Sequence, residues 1–194
     1  MADATVDQQV RALERDVRRN SVARAILERA PQLRLHSWYL GAGGVTQTVW
    51  NVLHGFEPTR GIKDYDLVYF DGDDQSAAGE EVAESRATQL FGDLDVKLDV
   101  TNEARVHLWY PERFGRSIPP YRSTEHAIST WPTTASSIGV RSANGEFVVC
   151  APFGLSDLYA MVVRPNKATV DRAIYEDKVR RWVKTWPKLS VIPW

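Results

Sequence analysis

The sequence predicts an α+β protein: a small mixed sheet covered by helices, with helical arms at both ends. Three observations predict this class. An apolar strand (37–40), a glycine-rich turn and a short helix (45–53) follow one another. A second strand, 65–70, opens with the Asp-x-Asp of residues 64–66, and the segment 94–100 alternates polar and apolar residues with the period of a strand. Both ends of the chain instead carry apolar residues at the three- and four-residue spacing of amphipathic helices.

Composition limits the class of protein further. With 194 residues, 43% of them hydrophobic, the chain is long enough to bury one core, so we expect residues 1–194 to form a single domain. The formal net charge of −1 gives no overall field that attracts nucleic acid. The single cysteine, Cys150, excludes an internal disulfide and a cysteine-only zinc site. No apolar run approaches the roughly 18 residues of a membrane span, and no hydrophobic N-terminal stretch is present, so we expect a cytoplasmic protein without a signal peptide.

The N-terminal arm, residues 1–30, is predicted to be helical because it lacks glycine and proline and its apolar residues recur at helical spacing. A break is expected near Asn20, and Pro31 ends the arm. We expect this arm to cover one face or one edge of the sheet.

The glycine-rich turn, Gly41 to Gly44, is the first candidate binding element. It lies between the strand and the helix, so that the free backbone N–H groups and the helix dipole at the N-terminus both favour phosphate oxygens. Gly43 and Gly44 have no side chain to prevent a phosphate from approaching the backbone closely.

The second candidate element is the carboxylate pair Asp64 and Asp66. Residues two apart on a strand share a face and lie about 6.5–7 Å apart, so both side chains point the same way. Paired carboxylates beside a phosphate site are what a Mg²⁺–triphosphate complex requires. Arg60 and Lys63 precede the pair; they would steer a triphosphate or merely balance the two negative charges, and the sequence leaves both interpretations open.

A third carboxylate is expected from the strand 94–100, where Asp95, Lys97 and Asp99 share one face. If this strand pairs antiparallel with the Asp-x-Asp strand, one of its two aspartates lies beside Asp64 and Asp66. Arg105 follows shortly afterwards. Its guanidinium would neutralise a transferring phosphoryl group, or alternatively pair with an acidic residue in a structural role.

The remaining elements are predicted from local patterns. Tryptophans at helical spacing near the C-terminus favour a packing face over a base-stacking platform. The other expected elements are a helix over 78–90, a short helix over 124–130, a β-hairpin with an Asn144–Gly145 turn, a helix from Leu155 that Pro165 stops, and a last helix over 169–186 within the C-terminal arm 168–194.

Four sequence runs resemble a known family. They are GAGG (41–44), DYDLVYFD (64–71), NEARVHLWY (102–110) and GLSDLYAMVVRPNK (154–167). Together they resemble a bacterial family of small nucleotidyltransferase-like proteins within the polymerase-β-like nucleotidyltransferase superfamily. The resemblance extends from about residue 37 to residue 167 and implies that superfamily's core fold.

The resemblance also implies roles for residues. Asp64, Asp66 and Asp99 would hold one or two Mg²⁺ ions, and Asp99 is favoured over Asp95 because a carboxylate precedes the Asn-x-Ala-Arg run in the family. In the superfamily a serine often follows the glycine and contacts the triphosphate. Here Gly43-Gly44-Val45 occupies that position and Thr46 is the nearest hydroxyl, so backbone amides, helped by Thr46 or Gln47, would bind the phosphates.

The implied function is Mg²⁺-dependent transfer of a nucleoside monophosphate from a nucleoside triphosphate (NTP) to a hydroxyl acceptor, with release of pyrophosphate. Asp64, Asp66, Asp99 and Arg105 would be catalytic, and Gly43, Gly44 and Thr46 would bind the nucleotide. The acceptor stays open between a small molecule, a protein and an RNA end. Two alternatives remain: a catalytically inactive nucleotide-binding or interaction module of the same fold, and a metal-dependent phosphohydrolase.

Overall fold

The computed structural model describes all 194 residues and contains eight α-helices and seven strands. The helices are α1 (Val6–Arg18), α2 (Ser21–Arg29), α3 (Ala42–His54), α4 (Ala77–Phe91), α5 (Val106–Phe114), α6 (Thr124–Ile128), α7 (Ser156–Tyr159) and α8 (Arg172–Thr185). The strands are β1 (Tyr39–Gly41), β2 (Asp64–Tyr69), β3 (Lys97–Asn102), β4 (Gly139–Ala143), β5 (Glu146–Cys150), β6 (Val162–Val163) and β7 (Ser190–Val191). Short 3₁₀ turns precede β1 and α5.

The central sheet is mixed, as predicted, with the strand order β3-β2-β1-β4-β5. Neighbours are antiparallel except for β2 and β3, which run parallel with Asp66 opposite Asp99. The expected antiparallel partner for the Asp-x-Asp strand was therefore wrong. Helix α4 carries the chain from the end of β2 back to its start, and such a crossover makes the next strand parallel.

Alternation along β2 separates the two faces of the sheet. Tyr65, Leu67 and Tyr69 enter the main hydrophobic core, whereas Asp64 and Asp66 point to the opposite face. Helices α1, α2 and α3 cover the core side, where Leu13 of α1 and Leu27 of α2 are fully buried. The sheet therefore has one apolar face and one polar face that is free to line a binding site.

The break in the N-terminal arm lies at Asn20, as predicted. Its side-chain oxygen caps α2 by accepting from the backbone N–H groups of Val22 and Ala23, at 3.0 and 3.1 Å. Its amide donates to the hydroxyls of Thr48 and Tyr65, at 2.8 and 3.0 Å. One asparagine thus ends α1, starts α2 and fixes the arm against α3 and β2.

The C-terminal arm packs through tryptophans, which confirms the packing interpretation. Trp182 and Trp186 contact Trp50 of α3 with ring centroids 5.1 and 5.7 Å apart. The indole N–H of Trp186 donates to the side-chain oxygen of Asn51 at 2.8 Å. This buried contact holds α8 beside α3 and next to the polar face of the sheet.

Two segments differ from their predicted structure and one agrees. The helix expected from Leu155 to Pro165 stops at Tyr159; Met161 then takes a left-handed φ of 55° and the chain continues into β6. Helix α5, which contains Pro111, was not predicted. The Asn144–Gly145 hairpin is present, with φ of 52° and 82° at these two residues, as a type I′ turn requires. No helix combines the length and apolar character needed to cross a bilayer.

Candidate active site

A large open cavity, about 1060 Å³ in volume, lies on the polar face of the sheet. The N-terminus of α3, strands β2 and β3, helix α5 and helix α8 all contribute to its walls. Its size matches that of sites that accept a small organic ligand. Its lining is mixed, with carboxylates on the sheet, aromatic side chains on α5 and cations on α8.

Three aspartates on the sheet line the cavity and are called the acidic cluster: Asp64, Asp66 and Asp99. Asp66 and Asp99 are direct partners in the parallel pair of strands, and neighbouring strands lie about 4.8 Å apart. Asp64 is two residues before Asp66 on the same face. Asp95, the other candidate for the third carboxylate, is exposed and precedes the first residue of β3.

The acidic cluster is electrostatically strained. Burial, together with repulsion from Asp64 and Asp99, raises the pKa of Asp66 to about 6, although Lys178 and the backbone N–H of Gly43 act in the opposite direction. A cation bound beside Asp66 would reduce this repulsion and stabilise the ionised carboxylate. The electrostatics therefore favour a metal ion or a metal-bound phosphate near Asp66.

The fit to Mg²⁺ is good in ligand chemistry but incomplete in side-chain arrangement. Three carboxylates supply the oxygen ligands that Mg²⁺ prefers. However, no three acidic, histidine or cysteine side chains converge as a ready metal-binding group. One cause is visible, since Asp99 is held by Lys97 with a nitrogen–oxygen distance of 2.7 Å. Asp99 must leave Lys97 before it can join Asp64 and Asp66 around an ion.

The glycine turn contributes through its backbone. Ala42, the first residue of α3, has a left-handed φ of 46°, a conformation that costs free energy in a residue with a Cβ. Its N–H donates to the carbonyl of Ile138 at 3.1 Å. This strained residue turns the chain so that Gly43 lines the cavity next to Asp66.

The two glycines predicted to bind phosphate have different surroundings. Gly43 lies at the cavity, where an added Cβ would stand 2.7 Å from the Gln47 side-chain nitrogen. Gly44 is buried, and an added Cβ would stand 2.8 Å from the ring of Tyr65. The structure therefore brings Gly43 to the site, whereas Gly44 lets α3 pack closely on β2.

The structure does not bring Thr46 to the cavity. Thr46 is fully buried, and its hydroxyl donates to the carbonyl of Ala135 at 3.0 Å. A hydroxyl used in this way has no free proton for a phosphate. Gln47, the other predicted helper, does line the cavity.

Arg105 also lies outside the cavity lining. Its guanidinium pairs with Glu80 of α4 and donates to the carbonyl of Gln75 at 3.3 Å. Glu80 in turn accepts from the backbone N–H of Asn102 at 2.8 Å. The geometry thus corresponds to the structural ion pair that the sequence left open, and not to a cation beside the acidic cluster.

Sequence reasoning missed the cations of α8. Lys178, Arg181 and Lys184, called the cation row, all line the cavity from this helix. Burial, together with Arg181, lowers the pKa of Lys178, although Asp66 and Asp64 lie near enough to act in the opposite direction. Their three-residue spacing was visible in the sequence, but only the docking of α8 shows which face they occupy.

Glu103 was missed as well. It is only 5% exposed and lines the cavity. Burial, with repulsion from Asp66 and Glu80, raises its pKa to about 8. Its position directly after β3 was the available signal, because charged residues at strand ends often face a ligand site.

Comparison with known proteins gives a consistent result. A family model described as "Nucleotidyltransferase" matches residues 28–191. One similar solved structure is an NMR structure described as revealing a CCA-adding enzyme head domain, with 21% sequence identity and a TM-score of 0.75 over 100% of both chains. At this identity the likeness establishes the fold, and it confirms the predicted α+β class with a mixed sheet and flanking helices. Curated proteins provide no match to this chain.

Proposed function

Because the chain belongs to this nucleotidyltransferase family, we propose that it moves a nucleoside monophosphate from an NTP to a hydroxyl acceptor and releases pyrophosphate. One observation carries the proposal: Asp66 and Asp99 lie opposite each other on parallel strands, beside Asp64 and Gly43, in a cavity of about 1060 Å³. Carboxylates that raise the pKa of a neighbour are concentrated at functional sites, and a bound cation offsets their repulsion.

Each site residue has a role in this reaction. Asp64, Asp66 and Asp99 are the residues that would hold Mg²⁺, which when bound would offset charge on the phosphates. The backbone N–H of Gly43, which acts on the Asp66 carboxylate in this structure, would donate to a phosphate oxygen instead. The acceptor oxygen forms a bond to the α-phosphorus while the bond from that phosphorus to the pyrophosphate oxygen breaks. The hydroxyl proton passes to Asp99, whose side chain keeps 37% of its surface accessible, and then to solvent.

Calorimetric titration with each of the four ribonucleoside triphosphates tests the proposal, with Mg²⁺ and with EDTA. Wild type should bind at least one NTP only when Mg²⁺ is present, and Asp64→Ala/Asp66→Ala should lose this binding. Asp95→Ala is the matched control, because Asp95 is an exposed aspartate outside the cavity. Folded wild type that binds none of the four would contradict the proposal.

A second candidate, a non-catalytic nucleotide-binding module, is favoured by the contact between Lys97 and Asp99. Incubation with α-labelled NTP and fractions of small molecules, proteins and RNA separates the candidates. A transferase labels one fraction and releases an equal amount of pyrophosphate. A module binds NTP without either product, and a phosphohydrolase releases products without labelling any acceptor.

A further inference from the structure

The wall of the cavity that faces the acidic cluster belongs to α8. We propose that this helix binds the β- and γ-phosphates of the NTP, with Lys178 as the principal contact and with Arg181 and Lys184 as outer contacts. The inference rests on the proposed function and adds to it the residues that would recognise a polyphosphate chain. None of the sequence patterns connected α8 with the acidic cluster.

Lys178 is a half-buried cation without an ion-pair partner. Its amino group makes no hydrogen bond, and no carboxylate oxygen lies within 4.0 Å of it. The nitrogen lies over the ring of Trp182, 5.3 Å from the ring centroid. Burial lowers the pKa of this ammonium, and an anion bound beside its three free donors would offset the cost of holding the charge there.

Other cations of the same helix are paired at the surface. Arg172 contacts Glu176 at 2.7 Å, and Arg180 contacts Asp177 at 3.4 Å. Neither of these two arginines lines the cavity. Arg181 also contacts Asp177, at 3.3 Å, and remains 58% exposed. Lys178 differs from these arginines in both burial and pairing.

The position of Lys178 suits a phosphate chain better than a permanent ion pair. Asp66 and Asp64 attract it electrostatically, yet neither carboxylate touches it, so space remains between the charges. Gly43 lies on the α3 side of the same cavity, and its backbone N–H, which acts on the Asp66 carboxylate, would turn to a phosphate oxygen when the nucleotide binds. A chain of phosphates between these walls would meet N–H groups on one side and ammonium and guanidinium groups on the other.

Lys178→Met tests the inference, because it keeps the length of the side chain and removes the charge. Arg180→Met is the matched control on the same helix. Calorimetry with Mg²⁺ would compare the preferred NTP with the corresponding diphosphate and monophosphate. We expect Lys178→Met to weaken NTP binding by about 10- to 100-fold and monophosphate binding by less than about threefold. Arg180→Met should bind all three nucleotides as wild type does.

The outcomes are distinguishable. Unchanged NTP binding by Lys178→Met, or an equal loss for mono- and triphosphate, would overturn the inference while leaving the proposed function in place. Tighter Mg²⁺ binding with unchanged NTP affinity would overturn it too, since Lys178 would then only balance the aspartates. Wild type that binds no NTP would overturn the proposed function itself. If Lys178→Met does not fold, Arg181→Met/Lys184→Met decides, with an expected loss of about 3- to 10-fold for NTP alone.

Discussion

Two groups of charged residues near β3 differ in how their charges are balanced. In the acidic cluster, like charges face one another, and burial with repulsion raises the pKa of Asp66 to about 6. In the second group, called the Arg105 network, Arg105 pairs with Glu80 and Glu80 accepts from the backbone of Asn102. The side chains of Arg105 and Glu80 are each only 14% exposed.

The comparison separates residues that stabilise the fold, in the Arg105 network, from residues whose charges a ligand would balance, in the acidic cluster. The Arg105 network is complete, because each charge has its partner within the chain. The acidic cluster is incomplete, since only Lys97 neutralises one of its members directly. Removing a charge should therefore lower stability in the network and lower activity in the cluster. The following predictions test this contrast, from the largest expected effect to the smallest.

Asp66→Asn should separate activity from stability most strongly. We expect transfer of label from NTP to acceptor to fall about 10³-fold, the order of effect seen when a principal charge-stabilising group is lost. The free energy of unfolding at pH 7 without metal should rise by about 3 kcal/mol, because the buried charge and its repulsion with Asp64 and Asp99 disappear. Label transfer and urea unfolding measure the two effects. Lower stability together with wild-type activity would reverse the assignment.

Glu103→Gln should raise stability in a pH-dependent way. Burial raises the pKa of Glu103 to about 8 in the folded chain, above the ordinary value of 4.5, so ionisation opposes folding. The penalty is absent below about pH 4.5, grows as the pH rises to 8 and is constant above it. The free energy of unfolding of the variant should exceed that of wild type by about 4–5 kcal/mol at pH 9 and by little at pH 4. Urea unfolding in EDTA measures this, and a pH-independent difference would contradict it.

Arg105→Met should destabilise the protein without weakening nucleotide binding. Glu80 would keep one hydrogen bond but lose its counterion, which we expect to cost about 2 kcal/mol. NTP affinity with Mg²⁺ should stay within about threefold of wild type, because Arg105 does not line the cavity. Arg180→Met, an exposed arginine variant, controls for the loss of a positive charge. A large loss of NTP affinity in folded Arg105→Met would restore its predicted role as an auxiliary cation.

Thr46→Val should cost about 1 kcal/mol of stability, since the buried carbonyl of Ala135 would lose its donor. NTP affinity should not change. Thr46→Ser keeps the hydroxyl and should recover most of the stability. Thermal unfolding and calorimetry on the two variants measure these effects, and NTP binding that fails in Thr46→Val but returns in Thr46→Ser would place the hydroxyl at the phosphates.

Local patterns predicted much of the fold. The Asp-x-Asp strand, the Asn144–Gly145 hairpin and the helix break at Asn20 each depend on backbone preferences or capping within a few residues. Asp99 was expected beside Asp64 and Asp66, and it does lie opposite Asp66. Its strand, however, was expected to be antiparallel to β2 and is parallel. Direction depends on how α4 packs, and that packing is not encoded in the two strands themselves.

The remaining site residues depend on contacts between distant parts of the chain. Thr46 is a plausible phosphate ligand until Ala135 is seen to accept its hydroxyl. Arg105 is a plausible auxiliary cation until Glu80 of α4 is seen beside it. Lys178 is one cation among several on α8 until the helix is placed against the sheet. Such partners follow from tertiary packing, so residue type and spacing alone could not identify them.

The contact of Trp186 with Asn51 has a consequence for when the site becomes complete. The aspartates lie in the middle of the chain, so a ribosome would release them well before α8. Until that helix docks on Trp50, the acidic cluster faces solvent with Lys97 as its direct counterion. If α8 binds the β- and γ-phosphates as proposed above, a bound triphosphate would bridge α3 and α8 and oppose their separation. Nucleotide would then act as a late folding partner, and its concentration would set how firmly the C-terminal arm stays docked.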